Sequence, residues 1–353
     1  MADKNTKTVD FEKLKRTVAV GVRMQDNVIN ATPYFLEENK KQALGERRVG
    51  LGVMGLHDML IYCETKYGSP EGNELVDQVF EVIATTAYRT SIELAKEKGS
   101  FPFLTGETTD ETNRLRQAFI ETGYMKKMPD DIRQSILDSG IRNSHLLTVA
   151  PTGSTGTMVG VSTGLEPYFS FSYFRSGRLG KFIEVKADIV KEYLDKHPEA
   201  DENNLPHWFV TAMELTTEAH ADVQCVIQRW IDSSISKTVN APKGYSVEQV
   251  EKVYQRLYRG GAKGGTVYVD GSRDSQVLTL KAEENTNEQL SIFNEKPKQH
   301  VVLVDTISEL RSTSVTIGSE VGNTCPVCRT GKVKEMGGCN TCTNCGAQLK
   351  CGL

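Results

Sequence analysis

Three short strand-like runs, separated by long amphipathic segments, constrain the fold of this chain most strongly. They span residues 145–150 (HLLTVA), 234–240 (SISKTVN) and 265–270 (GTVYVD). Helical periodicity occupies residues 10–29, 75–98, 208–232 and 246–259. Short strands that alternate with helices predict βα units around a parallel sheet, so the sequence indicates an α/β fold.

A glycine-rich segment, RRVGLGVMGLHDML, covers residues 47–60. We interpret it as the beginning of a helix. Gly50, Gly52 and Gly55 would then let that helix approach a neighbouring element closely.

Composition narrows the class of protein. At roughly 150 residues per domain, 353 residues predict about two domains. The 42 Lys and Arg against 46 Asp and Glu argue against non-specific binding of nucleic acid. No apolar run approaches the roughly 18 residues of a membrane span, and the charged start lacks a secretory signal. We therefore expect a cytoplasmic protein with no membrane partner.

The cysteines are unevenly distributed along the chain. Cys63 and Cys225 stand alone in helical contexts and are expected to be buried thiols. The other six crowd into the last 29 residues: Cys325, Cys328, Cys339, Cys342, Cys345 and Cys351. In a cytoplasmic chain such a cluster indicates metal or redox chemistry.

Two Cys-x-x-Cys knuckles, CPVC and CTNC, can present four thiolates to a zinc ion. The preferred ligand set is Cys325, Cys328, Cys342 and Cys345, because Gly346 after Cys345 suits a knuckle turn. That set leaves Cys339 and Cys351 free. In the alternative, Cys339 and Cys342 form the second knuckle, which leaves Cys345 and Cys351.

The loop after the first predicted strand has the composition of a phosphate-binding turn. Its glycines allow close approach of the backbone, and its hydroxyls and amides can donate to phosphate oxygens. The candidate residues are Pro151, Thr152, Gly153, Ser154, Thr155 and Gly156. A Gly/Ser/Thr turn is more often only a turn, and no Gly-Lys-Ser/Thr of a Walker motif follows.

Four polar residues recur at helical spacing further along the chain: His220, Gln224, Gln228 and Asp232. We expect loops or a subunit contact to satisfy this stripe, although it could instead line a ligand cavity. Glu166, after the candidate phosphate loop, either orients that loop or is a structural turn residue.

Seven ordered blocks of sequence carry a family resemblance. They are QDNVINATPY, RRVGLGVMGLHDML, SIELAKEKGSFPF, APTGSTGTMVGVSTGLEPYF, AHADVQCVIQRWIDSSISKTVNAP, GAKGGTVYVDGSRDSQVL and CPVC…CTNCGAQLKC. From about residue 10 to 353 the chain resembles the carboxyl-terminal portion of ribonucleotide reductases. The adenosylcobalamin-dependent (class II) branch is the most similar.

The resemblance implies a fold and an incomplete enzyme. It implies that residues 1–280 form the second half of a ten-stranded α/β barrel. Residues 281–320 would then be a linker, and 321–353 a zinc-ribbon-like redox tail. No counterpart of the family's thiyl-radical cysteine occurs here. A split or truncated large chain is therefore expected to need an upstream half as partner, and the assembled enzyme could be a homodimer.

The resemblance also implies an activity, the reduction of ribonucleotides to 2′-deoxyribonucleotides. The substrate, a ribonucleoside di- or triphosphate, would bind through Pro151–Gly156. The cofactors would be adenosylcobalamin and a structural zinc ion, and the reductant a thioredoxin-like protein. The tail redox pair would be Cys339 and Cys351 or, in the alternative, Cys345 and Cys351. The rival interpretations are a non-catalytic zinc-ribbon protein with a relic half-barrel and a class I large-subunit fragment.

Overall fold

A computed structural model describes residues 1–177, 180–201, 204–272, 278–279, 320–325, 328, 330–336, 339–345 and 347–351. The chain divides into two compact units. One comprises Met1–Tyr173 and Glu184–Gln276, and the other Phe174–Ile183 and Val277–Leu353. The predicted linker at 281–320 lies outside the described residues except for residue 320. The domain boundaries at 280 and 321 stay predictions.

The regular elements of the described residues are as follows. The helices are Phe11–Ala31 (α1), Glu37–Glu46 (α2), Leu56–Tyr62 (α3), Pro70–Lys98 (α4), Thr109–Ile120 (α5), Asp130–Ser139 (α6), Gly153–Val159 (α7), Asp188–Lys196 (α8), Thr217–Gln228 (α9) and Val247–Arg259 (α10). The strands are Ala2–Asp3 (β1), Thr8–Val9 (β2), Ser172–Gly177 (β3), Gly180–Lys186 (β4), Thr238–Ala241 (β5), Thr266–Val269 (β6), Leu278–Thr279 (β7), Val333–Met336 (β8), Cys339–Cys342 (β9) and Gln348–Cys351 (β10). None of these helices is both long and apolar enough to cross a membrane.

Extended segments in the first unit form a parallel array. Leu51 pairs with Leu147, and Val149 pairs with Ile235, each through a parallel bridge. Strand β5 then pairs in parallel with β6. The mixed α/β class is confirmed. Of the three predicted strand runs, 234–240 and 265–270 contain β5 and β6, whereas 145–150 forms only isolated parallel bridges. Among the described residues neither the Leu51 segment nor β6 has a second strand neighbour, and closure into a barrel stays a prediction.

The segment around Leu51 corrects the sequence interpretation. Residues 47–55 do not begin a helix, because α3 starts only at Leu56, after Gly55. The extended backbone instead runs close to the next strand segment. A Cβ atom on Gly50 would lie 2.7 Å from Cγ2 of Thr148, and one on Gly52 would collide with the Thr148 carbonyl oxygen. The glycines do permit close approach, but the elements that approach each other are two extended segments and not a helix and its neighbour.

Local signals define the two longest helices. Asp10 caps α1 by accepting from the amide of Lys13 at 2.8 Å. In α4, Ser69 caps the first turn, and Gly99 ends the helix with a φ of 84°. Both helices pack into the main apolar core. The predicted helix over 208–232 is wrong in extent, since α9 covers only Thr217–Gln228.

Helix α1 has two apolar faces. One face packs into the core through residues such as Leu14, Val18 and Val22. The other carries Val20, Met24 and Val28, whose exposed fractions are 67%, 61% and 53%. We call these last three residues the α1 stripe.

A buried carboxylate connects α1 to the starts of two strand segments. Oδ1 of Asp26 accepts from Nη2 and Nε of Arg47 at 2.7 and 2.9 Å, and from Nδ2 of Asn143 at 3.1 Å. Nε of Arg142 lies 3.4 Å from the same carboxylate. Asp26 is fully buried, and Arg47 is 3% exposed.

The second unit contains a small antiparallel sheet in the order β10-β9-β8. Its register places Val333 opposite Cys342, and Cys339 opposite Cys351. A second small sheet has the order β4-β3-β7.

Candidate active site and metal centre

The six predicted phosphate-loop residues follow the Val149 segment: Pro151 and Thr152 precede α7, and residues 153–156 form its first turn. Thr152 adopts a left-handed backbone conformation with a φ of 48°. Such a conformation is unfavourable for a residue with a β-branched side chain. The Thr152 hydroxyl stabilises it by accepting a hydrogen bond from the amide of Gly164 at 2.7 Å.

The open side of this turn presents neutral donors. Gly153, Ser154 and Thr155 are the first residues of α7, so their amides have no acceptor within the helix. The side chains of Ser154 and Thr155 are exposed. A Cβ atom on Gly153 would meet nothing within 4 Å, whereas one on Gly156 would lie 3.0 Å from Cγ2 of Thr163. Gly153 therefore faces open space, and Gly156 packs inside the loop.

The returning arm of the loop is held by an ion pair between half-buried Glu166 and a buried lysine. Glu166 accepts from Nζ of Lys237 at 2.6 Å and from the amide of Thr238 at 2.5 Å. The Lys237 side chain is fully buried and also donates to Nδ1 of His220 at 3.0 Å. Tyr67 adds a hydrogen bond from its hydroxyl to the carbonyl of Leu165 at 2.7 Å. Glu166 was predicted either to orient the loop or to be a structural turn residue, and these contacts favour the orienting role.

Burial decides the charge states around that pair. It lowers the pKa of Lys237, while Glu166 opposes the shift. Burial and, after it, the Lys237 charge lower the pKa of His220 to about 3. His220 is therefore neutral and bonds through Nε2 to the carbonyl of Ala212 at 2.9 Å. Its Nδ1 is then free to accept from Lys237.

Helix α3 anchors the same loop from the other side. Asp58 accepts from the amide of Ser162 and from the hydroxyl of Tyr168, both at 2.7 Å. Nδ1 of His57 accepts from the amide of Tyr168 at 3.1 Å, and burial lowers the pKa of His57 to about 3. Neither Asp58 nor Lys237 stood out in the sequence. Lys237 carried a usable signal, since alternation in SISKTVN places it on the same face as Ile235 and Val239.

The predicted polar stripe is buried and bonds to loops, although Oε1 of Gln224 has no hydrogen-bond partner among the described residues. Gln224 donates to the carbonyl of Gly264 at 2.6 Å, and Gln228 to that of Ser233 at 3.1 Å. Asp232 accepts from the amides of Leu146 and Leu147 at 2.7 and 3.0 Å. The stripe therefore positions loops and a strand, as expected from the sequence.

The four preferred zinc ligands converge in the second unit. The Sγ atoms of Cys325, Cys328, Cys342 and Cys345 all lie within 4.8 Å of one another. Sγ–Sγ distances are 3.8 Å for Cys325–Cys345 and 3.6 Å for Cys328–Cys342. Tetrahedral coordination with Zn–S bonds of about 2.3 Å places sulfurs about 3.8 Å apart. The four thiols could therefore hold a metal ion, and its identity as zinc stays a prediction.

Hydrogen bonds favour the thiolate form of Cys328 and Cys342. For Cys345 the backbone of Ala347 acts the same way, but burial and hydrogen bonds with the other three thiols together raise its pKa to about 11. The Thr330 hydroxyl, with the amides of Thr330 and Gly331, lowers the pKa of Cys328 to about 5. Hydrogen bonds from the amides of Cys345 and Asn344 lower the pKa of Cys342. Deprotonated thiols are the form that binds metal.

The tail contains two further cysteines, Cys339 and Cys351, for which the structure describes the backbone only. Cys339 and Cys351 are paired residues of β9 and β10. Their thiols, and hence the predicted redox pair, lie outside the described side chains.

The described residues combine a parallel α/β array with a hydroxyl-rich turn at a strand end. A four-thiol cluster follows later in the chain. The model of the ribonucleotide reductase barrel domain matches residues 1–268. The chain therefore belongs to the ribonucleotide reductase family, and the resemblance noted in the sequence is confirmed.

Curated relatives extend this finding. The vitamin B12-dependent ribonucleoside-diphosphate reductase of Thermoplasma acidophilum is 30% identical over 92% of this chain and 40% of its own length. Its namesake from Mycobacterium tuberculosis (strain H37Rv) is 29% identical over 78% of this chain and 38% of its own. The ribonucleoside-diphosphate reductase subunit alpha of Chlamydia pneumoniae is 28% identical over 95% and 33%. The chain thus spans 40% or less of the length of these relatives.

Proposed function

We propose that this chain is the carboxyl-terminal part of a vitamin B12-dependent ribonucleotide reductase. The assembled enzyme reduces ribonucleoside di- or triphosphates to 2′-deoxyribonucleotides in the cytoplasm. The exposed turn of neutral donors at the carboxyl end of a parallel strand carries this proposal. In open α/β sheets, ligands bind at that end of the strands.

The loop Pro151–Gly156 binds the substrate phosphates. Ser154 and Thr155 offer exposed hydroxyls beside free amides. Gly153 leaves open space for the approach of an oxygen atom. Asp58 and Glu166 hold the loop in this conformation, so the donors are preorganised for the anion.

An upstream chain completes the structure and supplies the radical-bearing cysteine. A parallel array of this kind closes only with a full set of strands, which removes exposed edges. The α1 stripe fits the same proposal, because contiguous exposed apolar residues mark interaction surfaces. We assign the α1 stripe to the contact with the upstream half.

The tail returns electrons to the active site. Directly opposed residues of an antiparallel pair have Cα atoms about 4.5–5.5 Å apart, within the range of a disulfide. Cys339 and Cys351 occupy such positions. Their dithiol reduces the active-site disulfide by thiol–disulfide exchange and becomes a disulfide itself, and two electrons from a thioredoxin-like reductant restore it. The alternative pair, Cys345 with Cys351, is less favoured because Cys345 lies in the four-thiol cluster.

Adenosylcobalamin supplies the initiating radical when bound, and this assignment rests on the names of the first two relatives. His57 and His220 are fully buried. We therefore assign neither histidine as a cobalamin ligand.

Reconstitution tests the proposed function. The purified chain, its upstream half, adenosylcobalamin and a dithiol are mixed with each ribonucleotide, and deoxynucleotide formation is measured. We expect turnover only when both chains are present. Absence of product from the full mixture contradicts the proposal. Turnover that needs a separate radical-generating subunit in place of adenosylcobalamin identifies the class I alternative.

Loss of one cluster thiol is expected to abolish metal binding by the tail. In the wild-type chain we expect one zinc ion, and in Cys328→Ser close to none, because structural zinc sites need all four ligands. Metal content after gel filtration measures this, with Cys63→Ala as the control that keeps its zinc. Equal zinc content in wild type and Cys328→Ser would reject this ligand set.

A further inference from the structure

The returning arm of the phosphate loop, residues 161–168, holds the loop in its conformation. The amide of Gly164 donates to the Thr152 hydroxyl at 2.7 Å, and the amide of Val161 donates to the carbonyl of Gly156 at 3.0 Å. The left-handed backbone of Thr152 is unfavourable for threonine and therefore depends on this support. If the arm moves away, the donors of the loop lose their arrangement.

A buried imidazole holds one side of this arm through its single lone pair. Nδ1 of His57 accepts from the amide of Tyr168 at 3.1 Å. An amide nitrogen can only donate, so Nδ1 carries the lone pair and Nε2 carries the hydrogen. Among the described residues Nε2 has no hydrogen-bond partner, so the hydrogen bonding of this ring rests on Nδ1 alone.

A second buried imidazole holds the other side of the arm through a lysine. Nε2 of His220 bonds to the carbonyl of Ala212 at 2.9 Å, and a carbonyl can only accept, so Nε2 carries the hydrogen. Nδ1 then accepts from Nζ of Lys237 at 3.0 Å, and Lys237 holds Glu166 of the arm at 2.6 Å. A further proton on either imidazole would place a hydrogen at Nδ1, facing a donor. Each attractive contact would then become repulsive.

The surroundings of His57 favour the neutral ring. Three aromatic rings pack against it: Tyr67, Tyr168 and Phe171. The adjacent carboxylate of its own helix, Asp58, is already engaged by the amide of Ser162 and by the Tyr168 hydroxyl. Burial lowers the pKa of His57 to about 3.

The surroundings of His220 favour the neutral ring as well. It faces the ammonium group of Lys237, with the Glu166 carboxylate on the far side of that lysine. On its own helix, Asp222 forms an ion pair with Arg256 of α10. Burial and, after it, the Lys237 charge lower the pKa of His220 to about 3.

We propose that His57 and His220 form an acid-sensitive latch, which keeps the returning arm closed on the phosphate loop only while both imidazoles are neutral. This inference concerns the regulation of the site and rests on the proposed function, because the arm matters only if the loop binds phosphate. In an opened arm each imidazole meets water and binds a proton near pH 6.5. The open state then holds more protons than the closed state. Closure is therefore fully stable above about pH 6.5 and loses stability as the pH falls below it.

Hydrogen exchange measures the ratio of open to closed arms. The purified full chain is exchanged at about pH 7 and about pH 5.5, and the rates of peptides that cover the arm are divided by their intrinsic rates. We expect the opening ratio to rise about eightfold for each histidine, or about seventyfold for both, because each open ring takes up one proton.

Variants that do not titrate identify the groups responsible. His57→Asn and His220→Asn each keep an acceptor oxygen near the position of Nδ1. Each single variant should lower the rise to about eightfold, and the double variant to less than about twofold. His207→Asn replaces an exposed histidine and is the matched control, which should behave as the wild type does.

Several results would overturn the latch. They are a rise of less than about twofold in the wild type, a wild-type rise in the double variant, and an effect of only one of the two single variants. If a variant does not fold, NMR of the wild-type imidazole signals gives a second measurement. Titration of either buried histidine near pH 6.5 in the folded chain contradicts the proposal.

Binding of inorganic pyrophosphate at about pH 7, followed by saturation-transfer NMR, separates the latch from the proposed function. If the wild-type arm opens in acid but the chain binds no pyrophosphate, the phosphate loop is wrong and the latch stands. If the chain binds pyrophosphate but the arm does not open in acid, the latch is wrong and the phosphate loop stands.

Discussion

Replacement of Asp26 by asparagine is expected to lower the free energy of unfolding by about 3–5 kcal/mol, because it leaves buried guanidinium groups without a counter-charge. Asp26 is fully buried, and its carboxylate accepts two hydrogen bonds from Arg47. Arg142 lies 3.4 Å from the same group. Asparagine keeps the size of the side chain, but it removes the charge and replaces one acceptor oxygen with a donor NH2 group. Urea unfolding of the two proteins, followed by circular dichroism, measures the difference.

An exposed ion pair of similar length provides the control. Arg23 and Glu97 are 2.7 Å apart, but their side chains are 45% and 48% exposed. Solvent screens such a pair, so Glu97→Gln is expected to cost less than about 1 kcal/mol. If Asp26→Asn costs no more than Glu97→Gln, the buried network does not hold α1 to the strand array.

Substitution of either tail cysteine is expected to abolish turnover with one reductant and spare it with another. In the reconstituted enzyme, Cys339→Ser and Cys351→Ser should each reduce thioredoxin-supported turnover to background, since disulfide exchange needs both an attacking and a resolving thiol. Dithiothreitol reaches the active-site disulfide directly, so turnover with it should change by less than about twofold. Deoxynucleotide formation under both reductants measures the effect.

Cys225→Ala is the matched control, because this half-buried thiol lies outside the tail and should leave both rates unchanged. A Cys345→Ser variant distinguishes the alternative pairing. If Cys339→Ser is fully active with thioredoxin while Cys345→Ser retains zinc and is inactive, Cys345 and Cys351 form the redox pair. If all tail variants are active with thioredoxin, the tail does not carry electrons.

Much of the strand arrangement was predictable because it depends on local pattern. The apolar run HLLTVA and the alternation in SISKTVN and GTVYVD correspond to segments that pair in parallel. The segment around Leu51 was misread, because glycines lack the side chains that give strands their pattern. Glycine is required at these positions by contacts with a segment that is distant in the sequence. Only the proximity of Thr148 explains why Gly50 and Gly52 have no side chain.

In the candidate site, too, some residues were predictable from local sequence and others were not. The loop Pro151–Gly156 was visible from its composition, and the four-thiol cluster from its spacing. The supports of the loop were not, because Asp58 and Lys237 act across 104 and 71 residues of sequence. Long separations of this kind leave no periodicity to detect. The left-handed backbone of Thr152 was also hidden, since threonine does not favour it.

The α1 stripe has a consequence for how such a protein is made. If the chain assembles with an upstream half as proposed, a cell that made this polypeptide in excess would leave the apolar α1 stripe exposed to solvent. Uncovered apolar residues promote self-association and recognition by chaperones and proteases. In the proposed assembly, balanced synthesis of the two halves is therefore expected to set how much enzyme accumulates.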